Sequence, residues 1–368
     1  MPNQISRRTL LATLAAAVPS ARALAQTVGA PAAPATPPPP PAPITGPQIA
    51  LPPTDLKAPY PEAGKVNRLD PRFDVLMDAD AKVEKICDGF LHAEGPVWVG
   101  GNNGYLLVSD TQVNHIVKWS PKEGRSVWLE PSGYDVGGVA WNPAIREPGT
   151  NGLFLGRGGV ISAGSGARAL LRFDLKTKKK TVLADHYMGK RLNTPNDCAV
   201  GPDGSIYFTD PSYGLVNRNP GPDRDLDYMG IFRLAPDNSL HLIDTMTLPN
   251  GIGVSPDGTK LYSSDQTTGW VMWDLDKQGN ATNRRQFVAR SVVMGGDSLK
   301  IDAAGNMWAA TREGVTVFTP GGERIGFISS DQGISNCEIG ADGYLYIASS
   351  TRVLRVKTKA KKLLFKVA

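Results

Sequence analysis

Three cysteines and four histidines are all that this chain of 368 residues offers to thiolate or imidazole chemistry. Cys87, Cys198 and Cys337 are odd in number, far apart and beside apolar alternating runs. They are therefore read as buried small hydrophobes, which sets aside both a disulfide framework and a compact zinc site. His92, His115, His186 and His241 show no metal-ligand spacing and are read as structural or surface residues. Charge of one sign is also scarce. The formal net charge is only +5, and loss of Arg7, Arg8 and Arg22 with the first 25 residues leaves +2, so no nucleic-acid partner is expected. No apolar run reaches the ~20 residues that cross a bilayer as a helix, because Leu10 to Val18 stops at Pro19.

What the beginning of the chain does hold is a layout for export. Two arginines, a short apolar run and a small-x-small site at Ala23-Leu24-Ala25 read as a cleaved signal over residues 1–25. The wording from Ser6 to Ala12 resembles a twin-arginine signal, which implies a periplasmic or secreted protein with no stable membrane anchor after cleavage. Residues 26–65 are rich in Pro and Ala, with five consecutive prolines from Pro37 to Pro41, and read as a flexible extended linker. Residues 66–368 read as one domain.

That domain is organised by a repeat. Asn196 opens an alternating run, a turn follows at Asp203-Gly204, and a second run ends on Thr209-Asp210, which is a hairpin pattern. It returns at Asn250, Asp297 and Asn336, and more loosely at Glu94 and near Gly138, giving six copies. Short Val-, Ile- and aromatic-rich runs fill the intervals, with no long helical stripe among them. The expectation is an all-β, six-bladed β-propeller with four-stranded blades and a central metal site. The early strand from Lys82 to Ile86 should pair with the C-terminal run around Val353 to Val356 and close the ring. The lysine clusters 176–180 and 357–366 are read as solvated edges.

If the hairpins are equivalent, Glu94, Asn196, Asn250 and Asp297 converge at the channel mouth. Two carboxylates and two amide carbonyls form an oxygen set suited to one hard divalent cation, Ca2+ in the first place, with Zn2+, Mn2+ or Mg2+ as alternatives. Taken singly, each has a plainer reading: Asn250-Gly251 as a turn, Glu94 as a solvated acid, Asp297 as a turn residue. Their shared repeat position favours the metal. Asn336 is read as structural.

The residues EGPVW at Glu94, KRLNTPND at Lys190, DGSIYFTDPSYG at Asp203, LPNGIGVSPDGTKLY at Leu248 and SNCEIGADGYLYIAS at Ser335 together resemble the gluconolactonase and senescence-marker-protein (regucalcin-like) family of six-bladed propellers. The resemblance implies a divalent metal on the same four residues and hydrolysis of a cyclic ester, a sugar lactone above all. It also implies an Asn-Gly opening blade two, where the chain is read as Gly137-Gly138, and a His where Gly156-Arg157-Gly158 stands. Residues 143–166 are read as a Gly-rich insertion able to act as a lid. Asp297 is the expected general base, and Asn193, Asn196, Asp210 and Tyr213 are the expected substrate-binding residues. Alternatives from other classes are a phosphotriesterase or arylesterase on the same metal, a non-catalytic metal- or sugar-binding propeller, and a quinone-dependent dehydrogenase.

Overall fold

The computed structural model describes residues 49–135, 142–218, 221 and 223–365. Short alternating runs bounded by Gly, Asp and Asn turns form antiparallel sheets, and six of them carry the architecture. Blade 1 runs outward from Ala93–Val99 through Tyr105–Asp110 and His115–Ser120 to Gly124–Leu129. Blade 2 begins at Leu153–Gly156, blade 3 at Cys198–Val200, blade 4 at Pro249–Val254, blade 5 at Gly295–Ile301 and blade 6 at Asn336–Ile339. These six first strands each contact the first strand of the next blade, and the sixth contacts the first, so they ring a central channel. The chain is therefore the expected six-bladed propeller with four-stranded blades.

Each blade hides its apolar face only against its neighbour, and the packing follows from that. One apolar cluster fills each junction between successive blades. Where blade 6 meets blade 1, Trp98 stacks on Tyr346 with ring centroids 5.1 Å apart. Cys87, Cys198 and Cys337 are free and buried. Burial pushes the Cys87 and Cys337 thiols up to about 12, so they act as apolar filler.

Closure is by strand exchange. Val83–Asp88 pairs antiparallel with Arg352–Lys357, setting Val83 opposite Val356 and Lys85 opposite Leu354, as expected from the sequence. Blade 5 gains a fifth strand, Gly64–Arg68, on its outer edge. This shortens the expected 26–65 linker. Lys85 donates its backbone N–H to the Pro61 carbonyl, and Tyr60 sits edge-on to Trp119 at 6.2 Å, so the last residues of that segment belong to the propeller.

Blade 2 corrects the repeat alignment. The copy near Gly138 falls outside the described residues, and the first strand of the blade is Leu153–Gly156. The 143–166 segment is accordingly not a lid, because it contains the two innermost strands of the blade, and Gly159–Gly164 is buried throughout. Arg157 lies in the tight turn between those strands, away from the strand starts. A second correction concerns the C-terminal lysines. Lys362 is not a solvated edge: its Nζ donates to the Trp98 carbonyl at 3.0 Å and pairs with the buried Glu338.

Candidate metal centre at the channel mouth

The strand starts place their side chains by a local distortion of the ladder. Pairing slips between Glu94 and Val97 in blade 1, between Pro249 and Ile252 in blade 4, and between Gly295 and Leu299 in blade 5. A bulge re-aims the residue it contains. Glu94, Asn250 and Asp297 lie in or beside these three bulges, so the turn reading of Asn250 fails: it is a strand residue, 3% exposed. The glycines that follow two of these donors are required by close approach. A Cβ on Gly251 would come within 2.7 Å of the Asp297 carbonyl, and one on Gly95, at φ +50°, within 2.2 Å of the Asn151 carbonyl.

A Ser/Thr-Asp pair at the end of the second strand locks the arrangement in three blades. Its aspartate accepts backbone N–H groups from the loop that enters its own blade: Asp110 from Leu91 and His92, Asp210 from Asn193, Asp265 from Thr247. Its hydroxyl donates to the carbonyl of the donor residue in the next blade: Ser109 to Asn151, Thr209 to Asn250, Ser264 to Asp297. The repeated dipeptide thus sets the positions of Asn151, Asn250 and Asp297 from the blade before.

Of the four expected metal ligands, Asp297 faces Glu94 and the Asn250 amide, and Asn196 stands just before the neighbouring first strand. Glu94, Asn196 and Asn250 are buried, and Asp297 keeps part of its surface open. The Oδ1 atoms of Asn196 and Asn250 are buried and accept no hydrogen bond. Burial, then the facing charge of Glu94, hold the Asp297 carboxyl well above its usual range, with the Asn250 amide opposing. Burial likewise raises Glu94, against the lowering influence of His92. An unpaired buried acceptor costs about 1–3 kcal/mol, so two bare amide oxygens on strand starts that also carry two repelling carboxylates describe a place for a cation. The fit is to a hard, oxygen-seeking ion. Among the described residues no three His, Cys, Asp or Glu gather as a cluster, and the set is completed by amides.

Three residues of the site were not singled out by the sequence. Asn151 is blade 2's counterpart of Asn196, with a buried and unpartnered Oδ1, and it supplies the Asn-Gly missing from the first alignment. Asp203-Gly204, Asp257-Gly258 and Asp342-Gly343 mark the hairpins of blades 3, 4 and 6, whereas blade 2 turns on Arg157-Gly158, both at positive φ. His92, set aside as structural or surface, is 39% exposed at its side chain with Nε2 4.0 Å from Glu94 Oε1. Lys300 is buried. Its Nζ donates to Asn336 Oδ1 at 3.2 Å and stands 3.6 Å from Asp197 Oδ1. Burial works against its charge, but Asp197 and Glu338 outweigh it and raise its pKa.

The expected substrate-binding residues divide. Tyr213 reaches the site: burial and the charge of Asp297 raise its pKa, and the Asn250 side chain opposes them. Asn193 does not. Its amide donates to the carbonyls of Asp210 and Tyr228 and accepts from Arg224 Nε, leaving nothing for a ligand. Asp210 is fully buried and serves the loop before blade 3, its carboxyl pushed up to about 7 by burial. Asn336, read as structural, is scaffold with a direct consequence, since its Nδ2 donates to Glu94 Oε2 at 3.2 Å.

Comparison with known proteins points one way. Residues 92–351 match the model of the SMP-30/Gluconolactonase/LRE-like region. A gluconolactonase of Zymomonas mobilis is 39% identical over 312 residues, spanning 80% of this chain and 86% of its own. The solved gluconolactonase of Xanthomonas campestris superposes with a TM-score of 0.69 at 25% identity, over 85% of this chain and 98% of that one. A calcium-binding regucalcin of Agrobacterium tumefaciens shares the fold, with a TM-score of 0.59 at 17% identity over 76% of this chain and 94% of its own.

Proposed function

Because the chain belongs to the SMP-30/gluconolactonase/LRE-like family, we propose that it hydrolyses a sugar lactone with the help of one divalent cation, Ca2+ in first place. The carrying observation is the meeting of bare amide oxygens on Asn196 and Asn250 with the carboxylates of Glu94 and Asp297. Charge supports it as well. Glu94, Asp197 and Asp297 interact, Lys300 pairs with Asp197, and the formal surplus of two negative charges equals what a divalent ion carries. Asn151 is a fifth donor of the same kind.

A cation held by Glu94, Asn196, Asn250 and Asp297 supplies polarisation of the lactone carbonyl. The remaining work belongs to the protein. Asp297 is the general base: it takes a proton at Oδ from the water that attacks the carbonyl carbon. As the ring C–O bond breaks, the same carboxyl returns that proton to the leaving ring oxygen, so the product is an open hydroxy acid. In the ion-free site burial, then the charge of Glu94, raise the proton affinity of Asp297, and a coordinated cation would oppose both. Tyr213 and Asn196 orient the substrate. Lys300 and Asn336 hold Glu94 and Asp197 in place from below.

The test is a hydrolysis screen of aldonolactones, aryl esters and phosphotriesters with and without a chelator. Chelator-sensitive opening of a lactone is expected. Faster phosphotriester turnover would move the assignment to that class, and inactivity on all three would leave a binding protein. We also place the mature chain in the periplasm, on Arg7-Arg8 and the Ala23-Leu24-Ala25 site. Intact mass of the periplasmic protein should begin near Gln26, and retention of Met1 or Pro2 would overturn this.

A further inference from the structure

Asp297 opens onto a cleft of about 420 Å3 that is lined on its other sides by Gln266, Arg290 and Arg312. The volume exceeds what a single sugar ring fills and lies in the range of small-molecule sites. Both arginines are exposed, and neither guanidinium has an acidic partner among the described residues. Several other surface arginines are paired with acids. Arg72 pairs with Asp70 and Glu323, Arg284 with Asp244, and Arg285 with Asp274. Besides Asp297, the acids next in sequence to Gln266 and Arg312 are already engaged: Asp265 holds Thr247 and Thr267, and Glu313 is bound to Arg324. A third guanidinium, that of Arg218, has no acidic partner among the described residues and lies over the ring of Tyr213, 5.4 Å from its centroid, and Tyr213 in turn faces Asp297.

We infer that the substrate of this site is an anionic lactone, one carrying a carboxylate or phosphate at the end remote from the ring carbonyl. The inference rests on the lactonase reading and sharpens it. With a divalent ion offsetting the carboxylates inside, the unspent guanidiniums leave the rim positive. Arginine forks match a planar carboxylate or a phosphate, and a neutral sugar has no use for them. Tyr213 and Gln266 remain for its hydroxyls.

The experiment uses the calcium-loaded mature protein and three substrates: glucono-1,5-lactone, glucaro-1,4-lactone and 6-phosphoglucono-1,5-lactone. At low ionic strength kcat/KM should favour at least one anionic lactone by about tenfold, the combined scale of two partly exposed charge pairs. Which one is favoured identifies the anion. In Arg290→Gln/Arg312→Gln the ratio of anionic to neutral kcat/KM should fall toward one, and in wild type it should shrink at about 0.5 M NaCl. Calorimetry with glucarate and gluconate gives a readout free of catalysis, with glucarate expected to bind about tenfold tighter in wild type only. Equal kinetics on charged and neutral lactones with equal binding of the two acids would overturn the inference while leaving the lactonase intact. Glucarate preference with no hydrolysis of any lactone would do the reverse, keeping the anion site and removing the reaction.

Discussion

The two ends of the central channel are built from the same six strands, and both bury charge, but they do so differently. At the strand starts, Asn151, Asn196 and Asn250 carry buried oxygens that have no hydrogen-bond partner among the described residues, and Glu94 and Asp297 face each other. At the far end, the cavity is small, about 70 Å3, and lined by Val97, Phe154, Ile252 and Val254, with Phe365 across it. The one carboxylate there, Glu338, is met by Lys362 from the C-terminal segment. A satisfied charge pair in an apolar wall is a seal. Bare acceptors in a ring are an invitation to a ligand. Lys300 stands between the two regimes, bound upward to Asn336 and Asp197 and electrostatically linked downward to Glu338.

The contrast predicts that changes at the mouth alter chemistry and changes at the seal alter stability. The largest effect belongs to Asp297→Asn. Size and one carbonyl donor survive while the proton acceptor is lost, so saturating calcium should restore occupancy but not turnover, with a loss on the order of 10²-fold or more. Calcium titration alongside lactone hydrolysis in a pH-stat reads both, and full activity in the loaded variant would reject the role given to Asp297.

Next is Lys362→Met, which strands Glu338 without its cation. A drop of about 3 kcal/mol in unfolding free energy is expected, because removing one partner of a buried pair leaves the other unsolvated. Turnover of the folded fraction should be close to wild type. If denaturant melts coincide with wild type, the far end is not a seal.

Removal of calcium by a chelator should lower the melting temperature by roughly 5 °C from a starting concentration of about 100 Kd, the effect of a ligand that binds only the folded chain. The pH dependence follows from the raised carboxyls. Glu94 and Asp297 hold protons more tightly than usual in the metal-free protein, and the cation needs them ionised. Calcium affinity should therefore weaken as pH falls, and binding should release protons, detectable by calorimetry in buffers of different ionisation enthalpy. Affinity that is flat with pH and without proton release would mean that these carboxylates are not ligands.

The smallest effect is that of Asn336→Ala, which deletes the bond to Glu94 but no ligand. Calcium affinity should weaken about tenfold, the lower end for a residue that orients a ligand, while turnover at saturation stays near wild type. A turnover loss as large as that of Asp297→Asn would place Asn336 inside the site.

Much of this comparison was legible beforehand where local chemistry repeats. Asn196, Asn250 and Asp297 could be aligned because an Asx or small-residue turn follows each at nearly the same distance, and strand period and turn residues are properties of neighbouring positions. Blade 2 broke the rule at Arg157, a residue poorly suited to positive φ. It is held there by a guanidinium that reaches the Gly204 and Ala235 carbonyls of the next blade. That support is invisible along the chain, and Asn151 was missed with it. Asn193 shows the converse. It stands three residues from Asn196 in the same motif, yet its amide is consumed by Asp210, Tyr228 and Arg224.

The sequence by itself determined the repeat, the strand character of its runs, the ring closure and the residue types at the starts of blades 1, 3, 4 and 5. All of these follow from alternation, turn propensity and side-chain chemistry within a few residues. Only the tertiary structure decided which polar groups are spent and which are bare. Whether an amide oxygen is available depends on groups brought from other blades: Ser109 aligning Asn151, Asn336 reaching Glu94 across 242 positions, Lys362 closing on Glu338 at the far mouth. Hydrogen-bond satisfaction is a property of the packed ring, because each partner arrives from a strand whose distance along the chain bears no relation to its distance in space.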